Sequence, residues 1–289
     1  MNEAFTINNS PLTIQQSLQT LAARIKLQSE TASIDAQTLL AHITGQSRAW
    51  LLTHPEASLT PDQEINFAQA VSKLKNGVPL PYVIGRWEFY GLEFGVTPDT
   101  LIPRPETEML VEQAIHWLKK NPGFRRVADI GTGSGCIAVS LVVNIPDLHI
   151  TATDISAKAL ETARANAEKH QVSHRIDFIK ADLLPAPLSP LHAIFANLPY
   201  IPTQTLTQLD IFGKEPALAL DGGEDGLDLI RRLFPQAVLN LVSGGLLLLE
   251  IEANQGRTAI KLAREYFPDS EIALIQDLAG RDRLIRIQT

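Results

Sequence analysis

The sequence has few of the features that support secretion, a disulfide framework or membrane insertion. Only one of its 289 residues is a cysteine, Cys136, so no disulfide can form within the chain. Its apolar runs, such as Leu246–Leu249, are far too short to cross a bilayer. The first residues lack a basic cluster followed by an apolar stretch, so we expect no secretory signal. These absences predict a cytoplasmic protein that does not contact a membrane.

The sequence also lacks an excess of basic residues. It has 25 Lys and Arg against 32 Asp and Glu, a formal net charge of −7. Because nucleic-acid binding depends on neutralising phosphates, we expect no stable nucleic-acid binding, although a local basic patch stays possible. His170 and His174 share a helix face, yet no third ligand is evident, so we expect a solvated helix end and no metal.

What the chain does contain is the composition of a globular protein, with 45% hydrophobic and 20% charged residues. Residues 1–78 predict a small helical domain. Thr60, Pro61 and Gln63 form the start of a helix with a capping box, and Gly45 ends an earlier helix. The helical periodicity is carried by two sets of apolar residues: Ile14, Leu18, Leu21, Ala22 and Ile25, then Ile34, Leu39, Leu40 and Ile43.

The rest of the chain predicts an α/β domain after a connector. Pro79-Leu80-Pro81 breaks the helical pattern, and the aromatic, glycine-punctuated stretch 82–100 suits a β-hairpin, which gives a connector at 79–106. A helix follows over 107–120 within a domain that spans 107–289. Strands that alternate with helices predict a doubly wound, mostly parallel sheet; they are Arg126–Ile130, His149–Asp154, Ile176–Lys180, Ala193–Asn197, Leu246–Ile251, Ile272–Ile275 and Leu284–Ile287.

The strongest local motif is Asp129-Ile130-Gly131-Thr132-Gly133-Ser134-Gly135, which follows a strand and opens an apolar helix. Such glycines let the backbone turn tightly and approach a ligand closely, near free helix N-terminal amides. The spacing differs from the dinucleotide fingerprint, which would need glycine at Cys136, and no Gly-Lys-Ser/Thr of a phosphate loop follows. The motif therefore predicts a ligand loop, the alternative being a tight turn without a ligand.

Two acidic residues follow the next strands. Asp154 ends the second strand, where a carboxylate accepts hydrogen bonds from both hydroxyls of a ribose. The alternative is a helix cap before Ser156. Asp182 follows the third strand, where an adenine amino group would lie and Leu183 could pack on the ring, although Asp182 could equally cap the turn at Pro185.

The segment Asn197-Leu198-Pro199-Tyr200 ends the fourth strand and therefore faces the same crevice. An amide nitrogen is a poor nucleophile because its lone pair is delocalised. The Asn197 side-chain oxygen and the Leu198 carbonyl could accept both N–H bonds and orient the nitrogen. Pro199 stiffens the turn, and Tyr200 can pack on a planar group. Alone, the segment would be a turn with a buried tyrosine; behind a glycine loop it predicts a site for a planar NH2.

These motifs together resemble the amino-methyltransferase branch of the S-adenosylmethionine-dependent superfamily. Within that branch the chain resembles the release-factor glutamine methyltransferases, and the matching residues run from about residue 80 to the C-terminus. The segments that carry the resemblance are Phe89–Phe94, Leu101–Glu108, Glu215-Pro216, Asp221–Gly223, Gly226–Asp228 and Asp277–Arg283. The segment Ile-Pro-Arg-Pro-Glu-Thr-Glu also separates the chain from related enzymes that methylate a ribosomal protein.

The resemblance implies a seven-stranded, Rossmann-like class I methyltransferase sheet and S-adenosylmethionine as methyl donor. It implies that residues 197–200 hold the glutamine of a Gly-Gly-Gln loop in peptide chain release factors, which the helical domain would help to dock. We expect a monomer and an in-line transfer without a metal. The implied cofactor-binding residues are Gly131, Thr132, Gly133, Ser134, Gly135, Asp154, Asp182, Leu183 and Asn197.

Leu198 departs from the family pattern, which has proline there. A backbone carbonyl serves at that position, so we expect function to survive, but Asn-Leu-Pro-Tyr also occurs in enzymes that dimethylate adenines of ribosomal RNA. The segment 201–214 is short for the family. One alternative is therefore an N6-adenine methyltransferase acting on ribosomal RNA or DNA, and another is a non-catalytic scaffold. Arg104 and Glu106 could form an ion pair or orient the hairpin.

Overall fold

The computed structural model describes residues 11–26, 31–185 and 190–289. The chain divides into two compact units, Met1–Gly85 and Arg86–Thr289. The part of the predicted helical domain at residues 1–10 lies outside the described residues. The unit boundary lies at Gly85, so the predicted hairpin falls in the second unit, and the separate connector at 79–106 stays a prediction.

The first unit is helical. Thr13 and Thr60 each accept a hydrogen bond from the backbone of a glutamine three residues later, and each glutamine reaches back, so both helices begin with a capping box. Gly45 ends one helix in the left-handed conformation. The helices are α1 (Ile14–Ile25), α2 (Ala32–Thr44), α3 (Arg48–Thr53), α4 (Pro61–Lys75) and α5 (Leu80–Ile84).

The helices of this unit surround a core of its own. The buried side chains lie on the stripes that the 3.6-residue period predicts. Leu21, Leu39, Leu40 and Leu51 are fully buried. They pack with Ile14, Ile25, Leu59, Phe67, Leu74 and Ile84.

The second unit begins with a β-hairpin and continues as alternating strands and helices. Its strands are β1 (Arg86–Phe89), β2 (Leu92–Gly95), β3 (Arg126–Ile130), β4 (His149–Asp154), β5 (Ile176–Lys180), β6 (Leu191–Ala196), β7 (Leu241–Glu250), β8 (Glu271–Gln276) and β9 (Asp282–Gln288). Its helices are α6 (Pro105–Lys120), α7 (Cys136–Asn144), α8 (Ala157–Lys169), α9 (Thr203–Leu206), α10 (Asp228–Asn240) and α11 (Gly256–Tyr266).

Among the described residues, seven strands form one sheet in the order β5-β4-β3-β6-β7-β9-β8. The strands from β5 to β7 are parallel to one another, whereas β9 runs antiparallel to both β7 and β8. The order reverses at β3, between β4 and β6. Such a switch point opens a crevice at the carboxyl ends of the strands, and ligands of α/β proteins bind there.

Helices cover both faces of the sheet, each over its own apolar layer. On one face the hairpin, α6 and α7 cover a core that includes Phe89, Phe94, Leu110, Leu118, Leu141 and Phe195. On the other face α10 and α11 cover a core that includes Ile130, Ile194, Leu233, Phe234, Leu247 and Ile285. Because both faces are covered, the central strands are apolar on both sides, as the sequence shows.

The α/β fold class and the predicted strands are confirmed, with three differences in detail. Strand β7 begins at Leu241 rather than Leu246, because Gly244 and Gly245 carry the chain through an irregular stretch before regular pairing. Helix α5 occupies the beginning of the stretch that was predicted as hairpin, so the hairpin itself spans 86–95. The short helix α3 was not predicted, because six residues give little periodicity.

Candidate active site

A cavity of about 330 Å³ lies at the carboxyl ends of the central strands, at the switch point. This volume suits a small ligand. Nearly all residues of the predicted site line this cavity. Those residues are Gly131, Thr132, Gly133, Ser134, Asp154, Asp182, Leu183, Asn197, Leu198 and Pro199. Gly135 and Tyr200 do not line it, because Gly135 faces helix α8 and Tyr200 turns toward the sheet.

Hydrogen bonds to the neighbouring strand fix the position of the glycine loop. The backbone N–H of Thr132 donates to the Thr153 carbonyl at 2.8 Å, and that of Gly133 donates to Oδ2 of Asp154 at 2.9 Å. Gly131 has φ +71°, a left-handed conformation that favours glycine, and a Cβ there would lie 3.3 Å from Cδ2 of Leu198. The tight turn therefore lets the two cavity-lining loops approach each other.

The buried Asp129 side chain fixes the glycine loop to the helix that follows it. Its Oδ2 accepts hydrogen bonds from the Thr132 hydroxyl at 2.6 Å and from the backbone N–H of Ala138 at 3.2 Å. Complete burial raises the pKa of Asp129 to about 7, against the effect of these two donors. The sequence showed Asp129 in the motif but gave it no role; the structure places it as a support of the loop and the helix that follows.

Asp154 forms the opposite wall of the cavity. Its Oδ1 accepts the backbone N–H of Ser156 at 2.8 Å, while Oδ2 accepts that of Gly133. The N-cap of α8 is Ser156, whose hydroxyl accepts from the backbone of Ala159. Burial raises the pKa of Asp154. The carboxylate thus joins two loops and keeps lone pairs available for the hydroxyls of a ribose.

Asp182 and Leu183 lie further along the same wall. Asp182 forms an ion pair with Arg232, a cavity residue of α10 that the sequence did not single out. Leu183 has φ +66° and is nearly buried. The expected contacts of both residues with an adenine ring stay predictions.

The Asn197 side chain is anchored by its nitrogen. Its Nδ2 donates to the hydroxyl of Thr107 at 2.9 Å, at the start of α6. Within the described residues, neither Oδ1 of Asn197 nor the Leu198 carbonyl accepts a hydrogen bond. Both oxygens belong to residues that line the cavity, so the structure leaves two acceptors available to a ligand NH2.

Tyr200 supports this loop from behind. Its hydroxyl donates to Oε1 of Glu250 at 3.3 Å, and burial together with the Glu250 charge raises the Tyr200 pKa well above its usual range. Its predicted packing on a planar substrate group stays a prediction. Glu250 itself is 3% exposed, and burial raises its pKa to about 7. The sequence signal for Glu250 was an acid that ends the apolar strand β7.

The backbone after Tyr200 is held by the Asp221–Gly226 segment. The side-chain amide of Gln255 donates to the Tyr200 carbonyl at 2.9 Å, and Ile201 exchanges backbone bonds with Leu220 and Gly222. A Cβ at Gly226 would lie 2.1 Å from the Tyr200 carbonyl oxygen, so only glycine fits there. These contacts explain why the glycines of this segment accompany the Asn-Leu-Pro-Tyr motif.

Arg104 pairs with Glu215 rather than with Glu106. The Glu215 carboxylate is buried, and its Oε2 also accepts the backbone N–H of Ile102 at 3.0 Å. Glu106 instead lies 3.9 Å from Arg283. The pair therefore fastens the Leu101–Arg104 stretch to the segment that follows 201–214 at the cavity rim.

The remaining candidates have structural surroundings. The ring Nε2 of His170 contacts the Glu93 carbonyl at 2.9 Å in an exposed pair, and His174 is exposed, so this helix end contacts the hairpin and is open to solvent. Cys136 packs against the core beneath the glycine loop, and burial raises its thiol pKa to about 12. In the described parts of the chain, no cluster of His, Cys, Asp and Glu suits a metal ion, and no helix has the length and apolarity to cross a membrane.

Two family models match the chain. The PrmC N-terminal domain matches residues 16–85, and the methyltransferase small domain matches residues 107–214. The release factor glutamine methyltransferase of Moorella thermoacetica is 41% identical over 276 residues, 94% of this chain and 97% of that protein. The protein of the same name from Coxiella burnetii is 39% identical and covers 95% and 98%.

Solved structures share the fold at low sequence identity. The catalytic domain of hMettl16, in complex with a hairpin of the MAT2A 3'UTR, superposes with a TM-score of 0.55 at 15% identity; the match covers 78% of this chain and 81% of that one. The T. thermophilus 16S rRNA methyltransferase RsmC, in complex with AdoMet and guanosine, gives 0.50 at 15% identity and covers 71% and 49%. These likenesses show the fold alone.

Proposed function

The chain belongs to the release factor glutamine methyltransferases, and we propose that it methylates the side-chain amide N5 of the glutamine in the Gly-Gly-Gln loop of a peptide chain release factor. The methyl donor is S-adenosylmethionine. The observation that carries the proposal is the pair of available acceptors, Oδ1 of Asn197 and the Leu198 carbonyl, beside the glycine-loop cavity. Residues in that arrangement suit a planar NH2 on the substrate.

The chemistry of the cavity lining suits S-adenosylmethionine. The Gly131–Ser134 loop lines one side of the cavity, and the Asp154 carboxylate offers acceptors for ribose hydroxyls on the other. Asp182 and Leu183 supply a carboxylate and an apolar surface for an adenine. When bound, S-adenosylmethionine supplies an electrophilic methyl group, whose bonding electron pair stays on sulfur as the new carbon–nitrogen bond forms.

The chain contributes orientation rather than acid–base chemistry. Asn197 and the Leu198 carbonyl each accept one N–H of the glutamine amide, which points its remaining lone pair at the methyl group. Leu198 is 4% exposed, so its side chain excludes water from the wall beneath the glycine loop. No base needs to act before transfer, because the methylated nitrogen readily releases its extra proton to water afterwards.

The partner proposal extends to the whole chain. The residues matched by the PrmC N-terminal domain, 16–85, form the helical unit, to which we assign recognition of the release factor. The acidic balance of the chain agrees with a protein partner rather than a stable nucleic-acid complex. We propose a monomer, which acts in the cytoplasm because its substrate serves translation termination.

The deciding experiment is methylation of an unmodified release factor. The purified chain is incubated with S-adenosylmethionine and the factor, and peptide mass spectrometry maps the added methyl groups. We expect one methyl on the glutamine of the Gly-Gly-Gln peptide, and none with Asn197→Ala. Thr162→Ala, at a half-buried position of α8 outside the cavity, is the matched control and should methylate as the unsubstituted chain does.

The same reaction distinguishes the alternative. Ribosomal RNA and duplex DNA are offered in parallel under identical conditions. Methyl transfer to adenine in either nucleic acid, with no change in the release factor, would overturn the proposal in favour of an N6-adenine methyltransferase. Binding of the factor without any transfer would instead indicate a scaffold.

A further inference from the structure

A network of polar side chains leads from Glu250, at the end of β7, through Thr107 to Asn197. Nδ2 of Asn197 donates to the Thr107 hydroxyl at 2.9 Å, and that hydroxyl stabilises the charge on the Glu250 carboxylate. Thr107 and Glu250 are 2% and 3% exposed. Thr107 lines the cavity beside Asn197, whereas Glu250 does not, so Glu250 acts on a ligand only through its neighbouring side chains.

The direction in which the Thr107 hydroxyl proton points determines the hydrogen bonds of this network. A hydroxyl carries one proton, and a carboxylate is an acceptor only. If Glu250 is ionised, Thr107 donates to Glu250 and accepts from Nδ2 of Asn197. The amide is planar, so fixing its nitrogen toward Thr107 turns its oxygen away from Thr107, and among the described residues no group donates to that oxygen.

The second carboxylate oxygen supports this arrangement. Oε1 of Glu250 accepts from the Tyr200 hydroxyl at 3.3 Å, whereas Oε2 is buried and has no fixed hydrogen-bond partner among the described residues. A buried acceptor of this kind is costly unless a donor turns to it. The rotating hydroxyl of Thr107 is a donor within the same cluster.

We propose that Glu250 and Thr107 are positioning residues, which orient the Asn197 amide so that its oxygen, and not its NH2, faces the substrate nitrogen. The inference rests on the proposed function, since it concerns the acceptor for a glutamine NH2. A protonated Glu250 would donate to Thr107, whose own proton would then turn to Oδ1 of Asn197. The Asn197 amide would then flip, and its NH2 would face the NH2 of the substrate, which is also a hydrogen-bond donor.

The charged and titratable groups around Glu250 are few. The Tyr200 hydroxyl donates to it, the Thr107 hydroxyl and Arg283 of β9 favour its charge, and Glu106 of α6 opposes it. Cys136 of α7 is electrostatically coupled to it, but its thiol stays protonated over the neutral range because burial raises its pKa to about 12. Burial raises the pKa of Glu250 itself to about 7, so turnover should rise as pH passes that value.

The first test compares two substitutions of the same residue. Turnover of a release factor is measured at saturating S-adenosylmethionine for Thr107→Ser and Thr107→Val. Serine keeps the hydroxyl and should retain most of kcat. Valine keeps the shape without it, and kcat should fall about 100-fold, the loss typical of a misplaced group, with little change in KM. Equal kcat values for the two variants would overturn the inference.

The second test measures kcat against pH. It includes a substitution at a partly exposed residue, which leaves the core of the protein intact. Glu106→Gln removes a charge that opposes the Glu250 charge, and Glu106 is partly exposed, so the rising limb of the kcat profile should move to lower pH. Glu250→Gln should abolish that limb and lower kcat at every pH. An unmoved limb in Glu106→Gln, or an unchanged limb in Glu250→Gln, would mean that another group, such as Asp129, titrates.

The failure of this inference is separable from that of the proposed function. If the unsubstituted chain leaves the release factor unmodified, the function is wrong and the variants have no activity to compare. If it methylates the factor while Thr107→Val and Glu250→Gln keep full turnover and an unchanged profile, the function stands and the positioning role is wrong.

Discussion

A Cβ placed on Gly131 would lie 3.3 Å from Cδ2 of Leu198, the residue that stands where the family has proline. The cofactor loop and the substrate loop therefore touch at a point where one partner is glycine in the left-handed conformation. An added methyl group at 131 would press on the Leu198 side chain. This contact couples the two halves of the site.

We expect Gly131→Ala to weaken both cofactor binding and turnover, because strain and the new contact act on the two loops together. Gly91→Ala is the matched control, since Gly91 has the same φ of +71° but nothing within 4 Å of its Cβ position. Both variants should lose about 1 kcal/mol of unfolding free energy from backbone strain. Only Gly131→Ala should also raise the Kd for S-adenosylmethionine in calorimetry; equal Kd values would show that the contact is unimportant.

Asp154→Asn should weaken S-adenosylmethionine binding by about tenfold, since a neutral amide accepts more weakly than a carboxylate and replaces one acceptor oxygen with a donor. The control is Ser156→Ala, which removes the N-cap of α8 while leaving the Asp154 carboxylate in place. Ser156→Ala should lower the melting temperature and leave the Kd nearly unchanged. An unchanged Kd in Asp154→Asn would mean that the carboxylate joins the two loops without binding the cofactor.

Removing Arg104 should destabilise the protein by about 2 kcal/mol, because it leaves the buried Glu215 carboxylate without its cation. Arg104→Met keeps the apolar stem of the side chain. The double variant Arg104→Met with Glu215→Gln should recover part of the loss, since a neutral amide can still accept from Ile102. Urea unfolding of Arg104→Met, Glu215→Gln and the double variant measures this; a double variant less stable than either single one would contradict it.

Asp129 should make stability fall with rising pH. Its pKa is 3.8 in its ordinary state and about 7 in the fold, so between these values the folded chain binds more protons than the unfolded chain. The free energy of unfolding then decreases by up to about 1.4 kcal/mol per pH unit and levels off above pH 7.

Asp129→Asn mimics the protonated side chain, because both donors to Asp129 bond Oδ2 while Oδ1 has no partner among the described residues. The variant should match the unsubstituted chain near about pH 4 and exceed it increasingly up to about pH 7. Chemical denaturation across this range gives the difference directly. A difference that does not change with pH would show that Asp129 is ionised throughout in the fold.

The sequence predicted the elements because each has a local signal. The capping box at Thr60 and Gln63 and the Gly45 stop are short-range patterns, and the structure confirms both helix ends. The motif residues at the strand ends converge because parallel strands place their carboxyl ends at one edge. Local chemistry and topology were sufficient to bring Asp154 and Asn197 to one cavity.

Reasoning from local sequence patterns could not identify the residues that hold the site residues in place. Thr107 and Asn197 are 90 residues apart, and Arg104 and Glu215 are 111 apart, so no periodicity relates them. The sequence left Arg104 and Glu106 undecided because both partners of a pair must be known before either has a role. Contacts of this kind follow from the order of strands in the sheet, which the chain alone does not state.

The position of β9 also bears on how the protein acquires its structure. This strand follows β8 along the chain yet lies between β7 and β8, pairing with each antiparallel. Until β9 is inserted, β7 keeps an open edge and β8 has no place in the sheet. A nascent or refolding chain would therefore hold Leu246–Leu249 as an unprotected apolar edge, the kind of segment that chaperones shield and that aggregates when synthesis outpaces folding.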